Sequence, residues 1–227
     1  MFTQAWRNVT FLHWAVDPAI VAPMLPRGVR PDVVDGSTQV GLVAFHMERI
    51  GIGPSPGLPY FGTFPETNVR VYTVDDLGQR GVLFLSLDAT RLAPVLVARA
   101  LGVPYCWSSM RIGGGPTSPA YACARRWPGP RAVHSRLRVR IGPRVDAPSE
   151  LERFVTARWG LHLSGRTGTA YWPNEHDAWP LHRAEVAVLD DELLCAAGLH
   201  LDGMRPSSVL WSPGVEVRFG PKRSIGQ

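Results

Sequence analysis

The run Glu66-Thr67-Asn68-Val69-Arg70-Val71-Tyr72 places a carboxylate, an amide and a guanidinium at alternate positions of an otherwise β-favouring segment. Successive side chains of a strand point to opposite faces, so Glu66, Asn68 and Arg70 share one face while Thr67, Val69 and Val71 share the other. A strand of this kind carries a polar cluster on a rigid element. Its polar face reads equally well as a water-facing surface or as the wall of a pocket. Tyr60, Phe61 and Phe64 in the adjoining stretch tip the reading toward a pocket, because aromatic walls beside a few polar groups are the usual composition of small-molecule sites. A structural Glu66–Arg70 ion pair is the competing reading.

The rest of the chain reads as many strands with a few helices. Asp17-Pro18 opens a short helix as N-cap and first-turn proline, and Asp35-Gly36 is a hairpin signal before an apolar strand from Val40 to Met47. The Gly- and Pro-rich stretch 51–65 is long enough to serve as a lid or pocket rim. Strand 68–74 turns at Asp75-Asp76-Leu77-Gly78 and returns as the nearly continuous apolar run 82–88, the pattern of a strand covered on both faces. Pro94 to Leu101, closed by Gly102, predicts a covering helix. Strands follow at 105–112, 121–127 and 133–141, the first two joined across Gly113-Gly114-Gly115. Ser149-Glu150-Leu151-Glu152 has capping-box form and predicts a helix running toward Gly160. A brief helix over 191–197 and strands near 209–211 and 215–219 complete the chain. These elements predict an α+β protein built on a mostly antiparallel sheet with a few covering helices.

Composition narrows the chemistry. Of the 24 basic residues 23 are arginine, and the only lysine is Lys222. Arginine stays protonated and cannot act as an amine nucleophile, so Schiff-base chemistry through a core lysine is excluded. Cys106, Cys123 and Cys195 are odd in number and far apart, which predicts small buried thiols rather than disulfides or a cysteine zinc site. No run approaches the roughly 18 apolar residues of a membrane span, and residues 1–7 lack the layout of a signal peptide. A cytoplasmic protein is expected, with self-association into a homo-oligomer left open.

The common catalytic signatures are missing. There is no Gly-x-Ser-x-Gly elbow, no P-loop lysine after Gly113-Gly114-Gly115, and Gly51-Ile52-Gly53 leads into proline rather than a helix. No local pairing among the seven histidines seeds a metal centre, so neither metal nor cofactor is expected. His176, between Glu175 and Asp177, is the histidine best placed for a role in a site, against a plain structural one. Arg136, Arg138 and Arg140 alternate with Leu137, Val139 and Ile141. That stripe lacks interleaved aromatics for stacking bases, so a solvated outer face is favoured over nucleic-acid binding.

Several segments spread through nearly the whole chain carry a resemblance. They are Phe11-Leu12-His13-Trp14, Glu66-Thr67-Asn68-Val69-Arg70, Phe84-Leu85-Ser86-Leu87-Asp88-Ala89, Val103-Pro104-Tyr105, Trp179-Pro180-Leu181 and Ser212-Pro213-Gly214-Val215. Together they resemble the YqjF-like domain-of-unknown-function proteins of the acetoacetate decarboxylase-like superfamily. The resemblance implies one domain over residues 1–227, its curved sheet closing into a cone or partial barrel around an internal cavity. In the superfamily's decarboxylases a catalytic lysine follows Gly-x-Pro, and a neighbouring glutamate and arginine help bind the substrate acid. The matching stretch here, Arg99 to Cys106 with Gly102-Val103-Pro104, puts Tyr105 at the lysine position. Imine formation needs an amine that this chain does not place there, so the fold is expected without that reaction.

Two function classes follow. In the first, a pocket protein performs acid–base chemistry on a small carbonyl or carboxylate compound: Glu66 moves a proton, Tyr105 donates to an oxygen, and Arg70 or Arg99 holds the acid group, with Asn68 and His176 lining the site. In the second, the cavity belongs to a non-catalytic ligand sensor or scaffold whose polar cluster only fixes the sheet.

Overall fold

The computed structural model describes residues 2–52, 62–130, 132–165 and 168–225. In chain order the strands are β1 (Phe2–Val16), β2 (Val29–Pro31), β3 (Thr38–Ile52), β4 (Phe64–Asp75), β5 (Arg80–Ala89), β6 (Tyr105–Gly115), β7 (Ser118–Trp127), β8 (His134–Arg144), β9 (Gly160–Gly165), β10 (Gly168–His176), β11 (His182–Asp191), β12 (Ser208–Phe219) and β13 (Arg223–Ile225). The helices are α1 (Pro18–Val21), α2 (Leu92–Ala100), α3 (Glu150–Thr156) and α4 (Leu193–Ala196). Apart from β6 and β9, which run parallel to β5, the pairings are antiparallel. This is the expected α+β architecture on one curved sheet.

The sheet closes on itself twice. The pairing of β4 with β5 closes a ring through β6, β7, β8, β11, β12, β1 and β3. The pairing of β10 with β12 closes a second ring through β9, β5, β4, β3 and β1. Strands β12, β1, β3, β4 and β5 belong to both rings, so each of their faces looks into a different interior. One interior is packed with Leu12, Leu42, Val69, Val71, Tyr121, Leu137 and Val139. The other is bounded by Phe11, Val43, Phe45, Phe64, Leu87 and Val217 and leaves open space. That explains why β4 is buried from Glu66 to Asp75 although its two faces differ so much in polarity.

Several boundaries move relative to the sequence reading. The strands across the glycine triplet run on through Gly115, so the turn falls at Pro116 and Thr117. β12 is one strand where the sequence reading expects two, near 209–211 and 215–219. It pays no steric penalty between them because Gly214, at φ +127°, lies against β1, where a Cβ would sit 1.9 Å from the Trp6 carbonyl oxygen. The capping box of α3 forms in both directions, with Ser149 N–H donating to Glu152 at 2.7 Å and Glu152 N–H to Ser149 at 3.2 Å. The helix stops at Thr156, however, because Arg158 folds back and its Nε caps the Phe154 carbonyl at 2.7 Å. Cys106 and Cys123 are buried as expected, whereas Cys195 is exposed at the end of α4, a site set by helix packing that cysteine spacing does not reveal. Arg136, Arg138 and Arg140 are exposed and face Asp190, Val188 and Glu185 across the β8–β11 ladder. No helix among the described residues is long and apolar enough to cross a membrane.

Candidate functional site

The open interior is a cavity of about 1030 Å³. Glu66, Asn68 and Arg70 all line it, as strand alternation requires, and Tyr105 and His176 line it as well. Tyr105 gets there through sheet register: Asn68 pairs with Leu87 of β5, and Leu87 pairs with Tyr105 at the first position of β6. From two strands away its hydroxyl donates to Glu66 Oε2 at 2.7 Å. The Asn68 amide is the second hydrogen-bond partner of that carboxylate, and its own Oδ1 is buried without a partner.

Burial dominates the electrostatics of Glu66 and pushes its carboxyl up from 4.5 to about 7; the bonds from Tyr105 and Asn68 pull the other way, and Asp88 adds to the rise. The Tyr105 phenol is held well above its ordinary value by burial, and then by the charge and hydrogen bond of Glu66. Its proton stays on oxygen. The expected donation from Tyr105 to a bound oxygen meets a hydroxyl already committed to Glu66.

Arg70 sits at the other end of the polar face and makes no ion pair with Glu66. Its Nε and Nη2 donate to the Tyr72 hydroxyl at 3.1 and 2.8 Å, with a longer bond from Nη2 to the Val155 carbonyl. His13 Nε2 lies 2.6 Å from the same hydroxyl, which in turn donates to Val155 at 2.9 Å. Burial first, then Arg70 and Arg158, hold His13 well below its usual value, so it is neutral. The crowding is possible because Gly41 stands between them in the ladder: a Cβ there would lie 3.2 Å from both the Arg70 side chain and the His13 ring. Among the described residues no carboxylate lies within 4.0 Å of Arg70, although it is only 8 % exposed.

Sequence reasoning missed Arg158, Tyr72 and His13. Arg158 also lines the cavity, pairs with Asp32, and stacks its guanidinium on Phe154 at 4.2 Å, with Nη2 buried and unpartnered. For Tyr72 a signal existed, since position 72 continues the 66, 68, 70 alternation. Arg99 corrects the expectation made of it. It lies on the exposed side of α2, outside the cavity lining, where Nη1 donates to the Tyr105 carbonyl at 2.7 Å and the guanidinium covers Trp127 at 5.1 Å. His176 borders the cavity with its ring nitrogens facing the carbonyls of Asp177 and Arg158 at 2.7 and 3.3 Å, among the rings of Trp6, Trp159 and Trp179. Phe64 is buried in the cavity wall; Tyr60 and Phe61 lie outside the described residues.

Lys222 is exposed, its Nζ 4.7 Å over the Trp172 ring, and is not part of the cavity lining. No group of three or more His, Cys, Asp or Glu side chains suited to a metal ion occurs among the described residues.

Known proteins share both the fold and the sequence pattern. The chain superposes on an acetoacetate decarboxylase-like enzyme from Sphingomonas wittichii RW1 with a TM-score of 0.66 at 13 % identity, covering 99 % of this chain and 92 % of that one. The enduracididine biosynthesis enzyme MppR complexed with pyruvate gives 0.64 at 15 % identity over 98 % and 89 % of the two chains. At these identities the likeness is one of fold. In sequence the chain is 28 % identical to the uncharacterised protein YqjF of Bacillus subtilis (strain 168) over 97 % of its own length and 90 % of the relative's. Residues 3–216 match the model of the DUF2071 family of uncharacterised conserved proteins, and the chain belongs to that family.

Proposed function

We propose that this protein is an acid–base enzyme acting on a small-molecule carbonyl or carboxylate compound without a Schiff base. The observation that carries the reading is the Glu66 carboxyl buried in the wall of a largely apolar cavity, where burial pushes it up to about 7, into the range of proton exchange near neutral pH. In its ionised form Glu66 takes a proton from the carbon next to a carbonyl; the electron pair moves onto the carbonyl oxygen, and the proton returns by the reverse path. Tyr105 and Asn68 act as positioning residues that aim the carboxyl. Arg70, charged and without a carboxylate partner, holds the acid group of the ligand.

The test is deuterium exchange in D2O, followed by NMR, with a panel of oxo acids that runs from 2-oxo acids to acids whose ketone stands several carbons from the carboxylate. The wild type should exchange the protons next to the carbonyl, and Glu66→Gln should lose at least about 100-fold of that rate. Equal exchange by both proteins would remove the reading. Saturable binding of the panel with no exchange would favour the second reading, a ligand-binding protein without turnover, for which the mainly apolar lining speaks.

A further inference from the structure

Resting on the acid–base reading of the Glu66 site, we propose that its ligand is an elongated amphipathic acid, with its carboxylate on Arg70, its reacting end at Glu66 and an apolar body between them. Three independent features of the cavity point there.

The first is the separation of the two polar ends. Glu66 and Arg70 lie four residues apart on one strand, which sets their Cα atoms about 13 Å apart. Arg70 reaches along the strand away from Glu66, to Tyr72, so its guanidinium does not close that gap. A two- or three-carbon acid that sits on Arg70 does not touch Glu66.

The second is the space and its walls. Small-molecule sites span about 300–1,000 Å³, and this cavity, at about 1030 Å³, stands at the top of that range. Phe11, Val43, Phe45, Phe84 and Leu87 line the interval between the polar ends, with the Asn68 amide on that interval turned to Glu66. The entrance is apolar too: Val97 and Leu101 of the α2 segment both line the cavity and are exposed to solvent. A compact, strongly hydrated acid gains nothing from such walls, whereas an apolar chain gains with every methylene it buries.

The third is the charge. A buried guanidinium whose partners are a phenol and a carbonyl oxygen leaves its positive charge unmatched. A carboxylate at one end of the ligand matches it, and the neutral apolar remainder suits the walls.

Titration calorimetry with straight-chain carboxylates from butanoate to decanoate, each against the alcohol of equal length, tests the proposal. Affinity should rise about fourfold per added methylene until the cavity is filled, acids should bind more tightly than their alcohols, and Arg70→Met should abolish that preference while keeping the dependence on length. The wild-type acid and alcohol comparison stands even where the Arg70 variant folds poorly. Affinity that is flat with length, or alcohols that bind as well as acids, would overturn it. Glu66→Gln separates the two claims, because it should keep the length series while losing exchange. Exchange confined to compact acids with a flat series removes this inference and leaves the acid–base reading standing; a steep series without exchange does the reverse.

Discussion

The Tyr105 hydroxyl donates to Glu66 Oε2 at 2.7 Å across two ladders of the sheet, at the position where the resemblance places a catalytic lysine. A phenol at that point cannot form an imine, but it can hold a carboxyl. Burial raises the Glu66 carboxyl, and the bonds from Tyr105 and Asn68 offset part of that rise and leave it at about 7.

Replacing Tyr105 by Phe should raise the Glu66 carboxyl further, because one of the two bonds that lower it is lost. A bond to a charged acceptor is worth about 1.5–3 kcal/mol and one to a neutral acceptor about 0.5–1.5 kcal/mol. Urea denaturation should accordingly show a larger loss at pH 8 than at pH 5. Equal losses at both values would mean that Glu66 does not change charge between them.

Glu66 also sets a pH dependence of stability. Its folded value of about 7 lies above 4.5, so its contribution is fully present below pH 4.5 and is lost as pH rises through 7. The loss amounts to about 3 kcal/mol. Glu66→Gln has no such group and should be the more stable protein at pH 8, with the advantage vanishing toward pH 4.5. Parallel stability curves for the two proteins would contradict this.

The two cavity arginines should respond differently to substitution. Arg70 has only neutral partners, so Arg70→Met removes a desolvated charge together with a few hydrogen bonds and should change stability by about 1 kcal/mol or less. Arg158→Met deprives the buried Asp32 of one of its two cations and uncaps Phe154, at a cost of about 2–3 kcal/mol. Thermal or urea denaturation should rank them in that order.

On the opposite face of the sheet, Asp88 is wholly buried and takes two bonds from Arg125, at 3.0 and 2.7 Å, and one from Ser108 at 2.6 Å. Arg125→Met leaves that carboxylate unpaired and should cost about 3–5 kcal/mol, with Asp88→Asn in the same chain recovering part of the loss. An Arg125 variant as stable as wild type would show that the pair contributes no net stability.

What could be read from the sequence follows the range of the physics involved. Strand alternation is local, so the shared cavity face of Glu66, Asn68 and Arg70 was readable from residue types alone, and Tyr72 could have been added by the same rule. The capping box at Ser149 is local as well. Arg99 went astray because a motif offset sets a position along the chain and not the side of α2 on which the residue falls. Arg158 read as one more helical residue because the partner that holds it, Asp32, is 126 positions away. The second ring of the sheet rests on β10 meeting β12 and β5 meeting β9, pairings that no local pattern encodes.

The most direct measurement is the titration of Glu66 itself, by 13C NMR of side-chain-labelled glutamate with Glu66→Gln as the assignment control. A midpoint near 7 that moves upward in Tyr105→Phe is the result expected of a buried, proton-exchanging carboxyl in the cavity wall. A midpoint near 4.5, unmoved by the loss of the phenol, would contradict the account.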